Sequence, residues 1–128
     1  MRDYHQLLVW EKSHQLTLEV YQVTKGLPSS EQQGLTREIR QTCAAIPAAI
    51  AEGCSHESDD ALCRALQDAL DTSGDLAYHL LLARDLGYMA PADYVLLAEQ
   101  LAEVRRLLVS LVQKLHNGAG STRAVAGY

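Results

Sequence analysis

Tyr94, Leu97, Leu101, Val104, Leu108, Leu111 and Leu115 recur at alternating spacings of three and four. An α-helix lays such a set on one face, because its side chains return every ~3.6 residues. A strand would divide the same residues between both of its faces. An apolar stripe of this length has to be covered, so it requires partner helices.

Three further stripes supply them. Val9, Ser13, Leu16, Val20, Val23 and Leu27 precede stop signals at Gly26 and Pro28, so a first helix is expected from near Val9 to Gly26. Leu35, Ile39, Cys43, Ile46 and Ile50 define a second helix. It should end near Gly53, and Ser29 or Ser30 in "PSSEQQG" is the expected cap at its start. Leu62, Leu66, Ala69, Ser73, Leu76, Leu80 and Ala83 define a third. Ser58 should cap it, with Asp59 and Asp60 in the positive first turn and a stop at Gly87. Pro91 suits the first turn of the fourth helix. The expected fold class is all-α, an antiparallel up-and-down four-helix bundle assembled as a homo-oligomer. One domain is expected over residues 1–116, followed by a flexible tail at 117–128, "NGAGSTRAVAGY".

Homo-oligomerisation follows from surplus apolar surface. Consecutive helical residues point about 100° apart. Leu80-Leu81-Leu82, Val95-Leu96-Leu97 and Leu107-Leu108-Val109 therefore each reach round most of a helix. Burying part of each triplet in a second copy of the chain is the simplest account. The candidate interface is Leu80, Leu81, Leu82, Leu96, Leu107 and Val109.

Composition narrows the function. Of 128 residues, 48% are hydrophobic, which a packed domain can use and a disordered chain would not contain. The formal charge of −5 argues against a binder of phosphate backbones. The opening "MRDYHQLLVWEKSHQ" has no apolar core of a leader sequence, and no run approaches the ~20 residues of a membrane span. A cytoplasmic protein without membrane partners is expected, and in a reducing compartment Cys43, Cys54 and Cys63 are free thiols. Cys54, His56 and Cys63 lack the regular short spacing of a zinc site, so no metal or cofactor is expected. Asp75 and His79 share a helix face, but no nucleophile accompanies them and no enzyme activity is expected. Trp10 is expected to pack over the end of the core. Arg37 with Arg40, and Arg105 with Arg106 and Lys114, are the basic groupings and the candidate nucleic-acid contacts. Each is interleaved with acids, Glu38 and Glu103, as solvated helix faces are. Pro47 inside the second helix withholds a donor from the Cys43 carbonyl and should bend the helix.

The blocks "LLVWEKSHQLTLEVYQVTKGLP", "EQQGLTREIRQTCAAIPAAIAEG" and "LLLARDLGY" resemble the 23S rRNA intervening-sequence family of bacterial four-helix bundle proteins. That family includes the accessory variability determinant proteins of diversity-generating retroelements. The resemblance implies a ring-like homopentamer with no known catalytic activity, and nucleic acid or a reverse transcriptase as a suspected partner. It matches Pro47 to the proline of the family's second helix and Glu52 to a family acid. Glu52 and Asp75 become candidate partners for Arg37 or Arg40. Three features depart from the family pattern: Gln41 replaces a usual second arginine, Ala49 a usual asparagine, and "CSHESDD" a basic run. Each removes a positive or hydrogen-bonding group. The expected function is a non-enzymatic oligomeric scaffold or adaptor, the alternative a nucleic-acid-binding accessory protein.

The charge balance predicts no submicromolar binding to RNA or duplex DNA at about 0.15 M salt. Filter binding across a salt series checks this. Submicromolar binding, abolished by Arg37→Glu with Arg40→Glu, would contradict it and place the surface on the second helix.

Overall fold

The structure, a computed structural model, describes residues 2–118. Its α-helices are α1 (Leu8–Val23), α2 (Leu35–Cys54), α3 (Asp59–Asp85) and α4 (Pro91–Asn117), and no strand occurs among the described residues. Short 3-10 turns occupy Tyr4–Gln6, Thr24–Gly26 and Ser29–Glu31. Asn117 still belongs to α4 and Gly118 caps it, and residues 119–128 of the expected tail lie outside the described residues.

α1 packs against α2 and α4, and α3 packs against the same two helices, so each helix has two neighbours around a shared core. The four stripes meet there: Leu16, Ile39, Ile46, Leu66, Leu97 and Leu108 are all fully buried. Burying one such side chain contributes about 1.5–3 kcal/mol. Tyr94 and Val23, at the stripe ends, are only partly covered. Cross-links fix which parts of the helices meet. The Thr17 hydroxyl lies 3.5 Å from Cys43 Sγ, Arg2 N–H donates to the Cys54 carbonyl at 2.9 Å, and Lys12 pairs with Glu103 at 3.6 Å.

Helix ends follow local chemistry. Ser58 Oγ accepts from Ala61 N–H at 3.0 Å, and Pro91 begins α4. α3 closes on Gly87 at φ 77°, where Gly87 N–H donates to Arg84 and Tyr88 N–H to Ala83. That pair of bonds satisfies the last carbonyls and needs a left-handed residue, which glycine adopts without strain. The start of α2 differs from expectation. Ser29 and Ser30 lie in the preceding 3-10 turn, and the Glu31 carboxylate caps the helix by accepting Leu35 N–H at 3.0 Å. A carboxylate there also meets the positive end of the helix dipole.

The second helix ends at Cys54, within one residue of the expected end near Gly53. A Cβ on Gly53 would fall 2.6 Å from Ala65 Cβ and 3.1 Å from Leu62 Cδ1. Gly53 therefore marks the place where α2 and α3 approach backbone to backbone. Pro47 does not interrupt α2 and is buried, as is Cys43 one turn earlier.

Gly53→Ala should accordingly destabilise the protein. Alanine gains up to about 1 kcal/mol of helix propensity, but the clash forces the helices apart at about 1–3 kcal/mol. A urea melt should show a lower midpoint with an unchanged slope. A midpoint equal to or above wild type would mean that the contact is not tight.

Candidate functional site

Burial of the α3 and α4 stripes leaves a groove between these helices on the outside. Leu70 from α3 and Ala102, Arg105, Arg106, Val109, Ser110 and Gln113 from α4 line a depression of about 530 Å³. A smaller one of about 100 Å³ continues from it along Ala77, Leu80, Tyr94, Ala98 and Leu101, sharing Ala102 and Arg105. Small residues make its floor. Arg105 reaches across it, its Nη2 3.9 Å from where a side chain on Gly74 would begin. Arg84 lies over the Tyr94 ring at 4.7 Å, a cation–π contact between α3 and α4.

The six candidate interface residues divide. Leu80 is 1% exposed and belongs to the core, reaching the outside only at the floor of the smaller depression. Leu82 and Leu107 are partly buried against that core, and Leu81 is half-buried. Leu96 and Val109 are each 39% exposed. Three consecutive leucines overcount the surface because a bundle helix touches two neighbours and buries a wide arc. Sequence reasoning missed Leu8, Leu18 and Tyr78, which are more exposed than either, as is Val95 of the second triplet. The signal for Leu18 was available: it follows the buried Leu16 by two positions, about 200° around the helix.

The basic candidates are not equivalent. Arg40 is tied to α1, its Nε donating to Thr24 Oγ1 at 2.9 Å and its Nη2 to the Tyr21 carbonyl at 3.2 Å. Its guanidinium also lies 4.7 Å from the centre of the Tyr21 ring. Arg37 donates to Gln33 Oε1 at 3.3 Å and is exposed. Neither is paired with the expected acids, since Glu52 meets His56 Nε2 at 2.6 Å. Arg105 and Arg106 flank the apolar groove, on a different pair of helices from Arg37 and Arg40.

The remaining candidates are dispersed. Cys54 faces the core, His56 pairs with Glu52 outside it, and Cys63 lies 3.9 Å from His116 Nε2 near the end of α4. Among the described residues no group of three or more His, Cys, Asp or Glu side chains is placed to hold a metal. His79 Nδ1 is buried without a hydrogen-bond partner, so the Asp75–His79 pair is not made through that nitrogen. Trp10 packs on the core edge within an aromatic stack, 4.9 Å from Tyr4 and 5.0 Å from His14. Among the described residues no helix is long and apolar enough to cross a membrane.

Comparison with known proteins supplies the relationship. A family model described as 23S rRNA-intervening sequence protein matches residues 5–110. A solved structure from Bacteroides thetaiotaomicron, described as a protein with unknown function from the S23 ribosomal protein family, is similar in fold. It superposes with a TM-score of 0.76 at 23% identity, covering 84% of this chain and 97% of that one. No curated protein matches the chain.

The three thiols should differ sharply in reactivity. Burial pushes the Cys43 thiol up to about 11, against a weaker opposing hydrogen bond from Thr17, and burial also raises Cys54. The thiolate is the reactive form, so both are protected at pH 8. Alkylation of the native protein followed by peptide mass mapping should label Cys63 first and Cys43 only on unfolding. Early labelling of Cys43 would contradict its place in the core.

Proposed function

The chain belongs to the 23S rRNA-intervening sequence protein family, and from that premise we propose that it is a non-enzymatic scaffold. In this proposal an antiparallel up-and-down four-helix bundle assembles with copies of itself into a closed ring in the cytoplasm. One observation carries it: the apolar α3–α4 groove, about 530 Å³, floored by small residues and rimmed by Arg105 and Arg106.

A matching ridge lies elsewhere on the same molecule. On α1, Leu8, Glu11, Gln15 and Leu18 share one outward face by their spacing of three and four, and Leu18 is 56% exposed. Glu11 and the neighbouring Glu19 bring negative charge beside that ridge. An apolar ridge with acids and an apolar groove with arginines are complementary in shape and sign. Because ridge and groove are different surfaces, the contact is head-to-tail. Such contacts either close into rings or run on as fibres. A ring leaves no groove open, and five subunits is the number the family resemblance implies. The charge arrangement favours a protein partner over a phosphate backbone, since the groove's arginines flank an apolar floor.

Light scattering at micromolar concentration tests the assembly. Five copies of the 14.1 kDa chain should give about 70 kDa. A mass of one subunit would overturn the scaffold, whereas a dimer or tetramer would overturn only the number. Leu96→Glu and Val109→Glu should each give smaller species that stay helical by circular dichroism. Unfolding of both would place these residues in the monomer core.

A further inference from the structure

Tyr21 near the end of α1, Gln32 and Gln33 in the turn before α2, and Thr36, Arg37, Arg40 and Gln41 on α2 line an open polar cleft of about 410 Å³. It lies on a different pair of helices from the association groove. We propose that this cleft binds a small phosphate monoester of the nucleoside monophosphate class.

The charge is positive and fixed in place. No acidic side chain lines the cleft. Arg40 uses one edge of its guanidinium on α1: Nε and Nη2 donate to Thr24 Oγ1 and the Tyr21 carbonyl, and Tyr21 supports the plane from one side. These bonds consume the side-on edge. The end-on fork, Nη1 with the second N–H of Nη2, has no partner among the described residues. A guanidinium held on one edge presents the other without further loss of side-chain freedom, in the geometry that grips two phosphate oxygens at once. Arg37 brings a second guanidinium to the same cleft, loosely held by Gln33.

An independent observation lies in its wall. Thr36 is 5% exposed, and its hydroxyl is buried without any hydrogen-bond partner. An unsatisfied buried hydroxyl costs stability, and a ligand oxygen reaching the cleft wall at Thr36 would relieve that cost. The N-terminus of α2 is not the source of the site, because Glu31 already occupies the Leu35 N–H. The remaining walls are the carboxamides of Gln32, Gln33 and Gln41. Each offers both donors and an acceptor, as recognition of a nucleobase edge requires. The volume falls within the ~300–1,000 Å³ of small-molecule sites and exceeds what bare phosphate fills.

Titration of the full chain with AMP, inorganic phosphate and adenosine, followed by phosphorus NMR and calorimetry, tests this. AMP should bind in the submillimolar range, phosphate about tenfold more weakly, and adenosine not measurably. Arg37→Gln and Arg40→Lys should each weaken AMP about tenfold. Thr36→Val should weaken it several-fold while leaving the thermal midpoint unchanged or higher. Arg64→Gln, a loss of charge on α3, should have no effect. A 5′-phosphorylated trinucleotide that binds more tightly than AMP would identify strand ends as the source of the phosphate, and weaker binding would identify free nucleotides. Absence of AMP binding at about 5 mM, adenosine binding as tightly as AMP, or AMP affinity unchanged in Arg37→Gln and Thr36→Val would overturn the proposal. Phosphate binding as tightly as AMP would overturn the nucleoside part. None of these readouts depends on self-association.

Discussion

Burial of four three-four stripes in one core governs everything else in this protein. Once Leu97, Leu101, Val104 and Leu108 face inward, the rotation of α4 is set, and the residues between them are forced outward. Val95, Ala102 and Val109 are spaced by seven, so they fall on one outer line of α4. Leu70 and Ala77 stand seven apart on α3 and line the two depressions beside it. The apolar groove is therefore a consequence of helix register, and a substitution that shifted the register would lose core and groove together. The close approach of α2 and α3 at Gly53 adds a fixed point, because a helix pair in near-backbone contact has little freedom to rotate.

The fold was largely legible because periodicity and punctuation agreed. The Ser58 cap, the Gly87 turn and Pro91 at the head of α4 stand where the sequence put them. Reading failed where one residue type has two uses. Glycine both ends helices and permits close packing, and the close approach of α3 at Gly53 is not visible beside a helix end one residue later. Serine is the commoner cap, yet Glu31 reaches the α2 terminus because a 3-10 turn occupies Ser29–Glu31. A leucine triplet does not reveal the width of the arc that α3 buries, and Leu80 lies inside that arc. The polar cleft was only half legible. Arg37 and Arg40 were visible as charge, but what α1 does to Arg40 depends on a helix crossing that spacing does not encode.

Division of labour between the two halves of the surface follows. The α3–α4 side is apolar with a basic rim, suited to another protein surface, and the α1–α2 side is polar with a fixed guanidinium, suited to a small anion. The α1 ridge joins them, since Tyr21 of the cleft follows Leu18 of the ridge by less than one turn. In the proposed ring, each subunit's cleft would sit beside the contact its neighbour makes.

The most direct measurement is cross-linking between ridge and groove. Two proteins, Leu18→Cys and Val109→Cys, each in a Cys63→Ser background, are mixed in equal amounts, allowed to exchange subunits and oxidised. A head-to-tail ring predicts disulfides mainly between position 18 of one subunit and position 109 of another. Disulfides confined to 18–18 or 109–109 pairs would mean that the surfaces meet like to like, and absence of any cross-link would mean that the groove is not covered by a second copy of this chain.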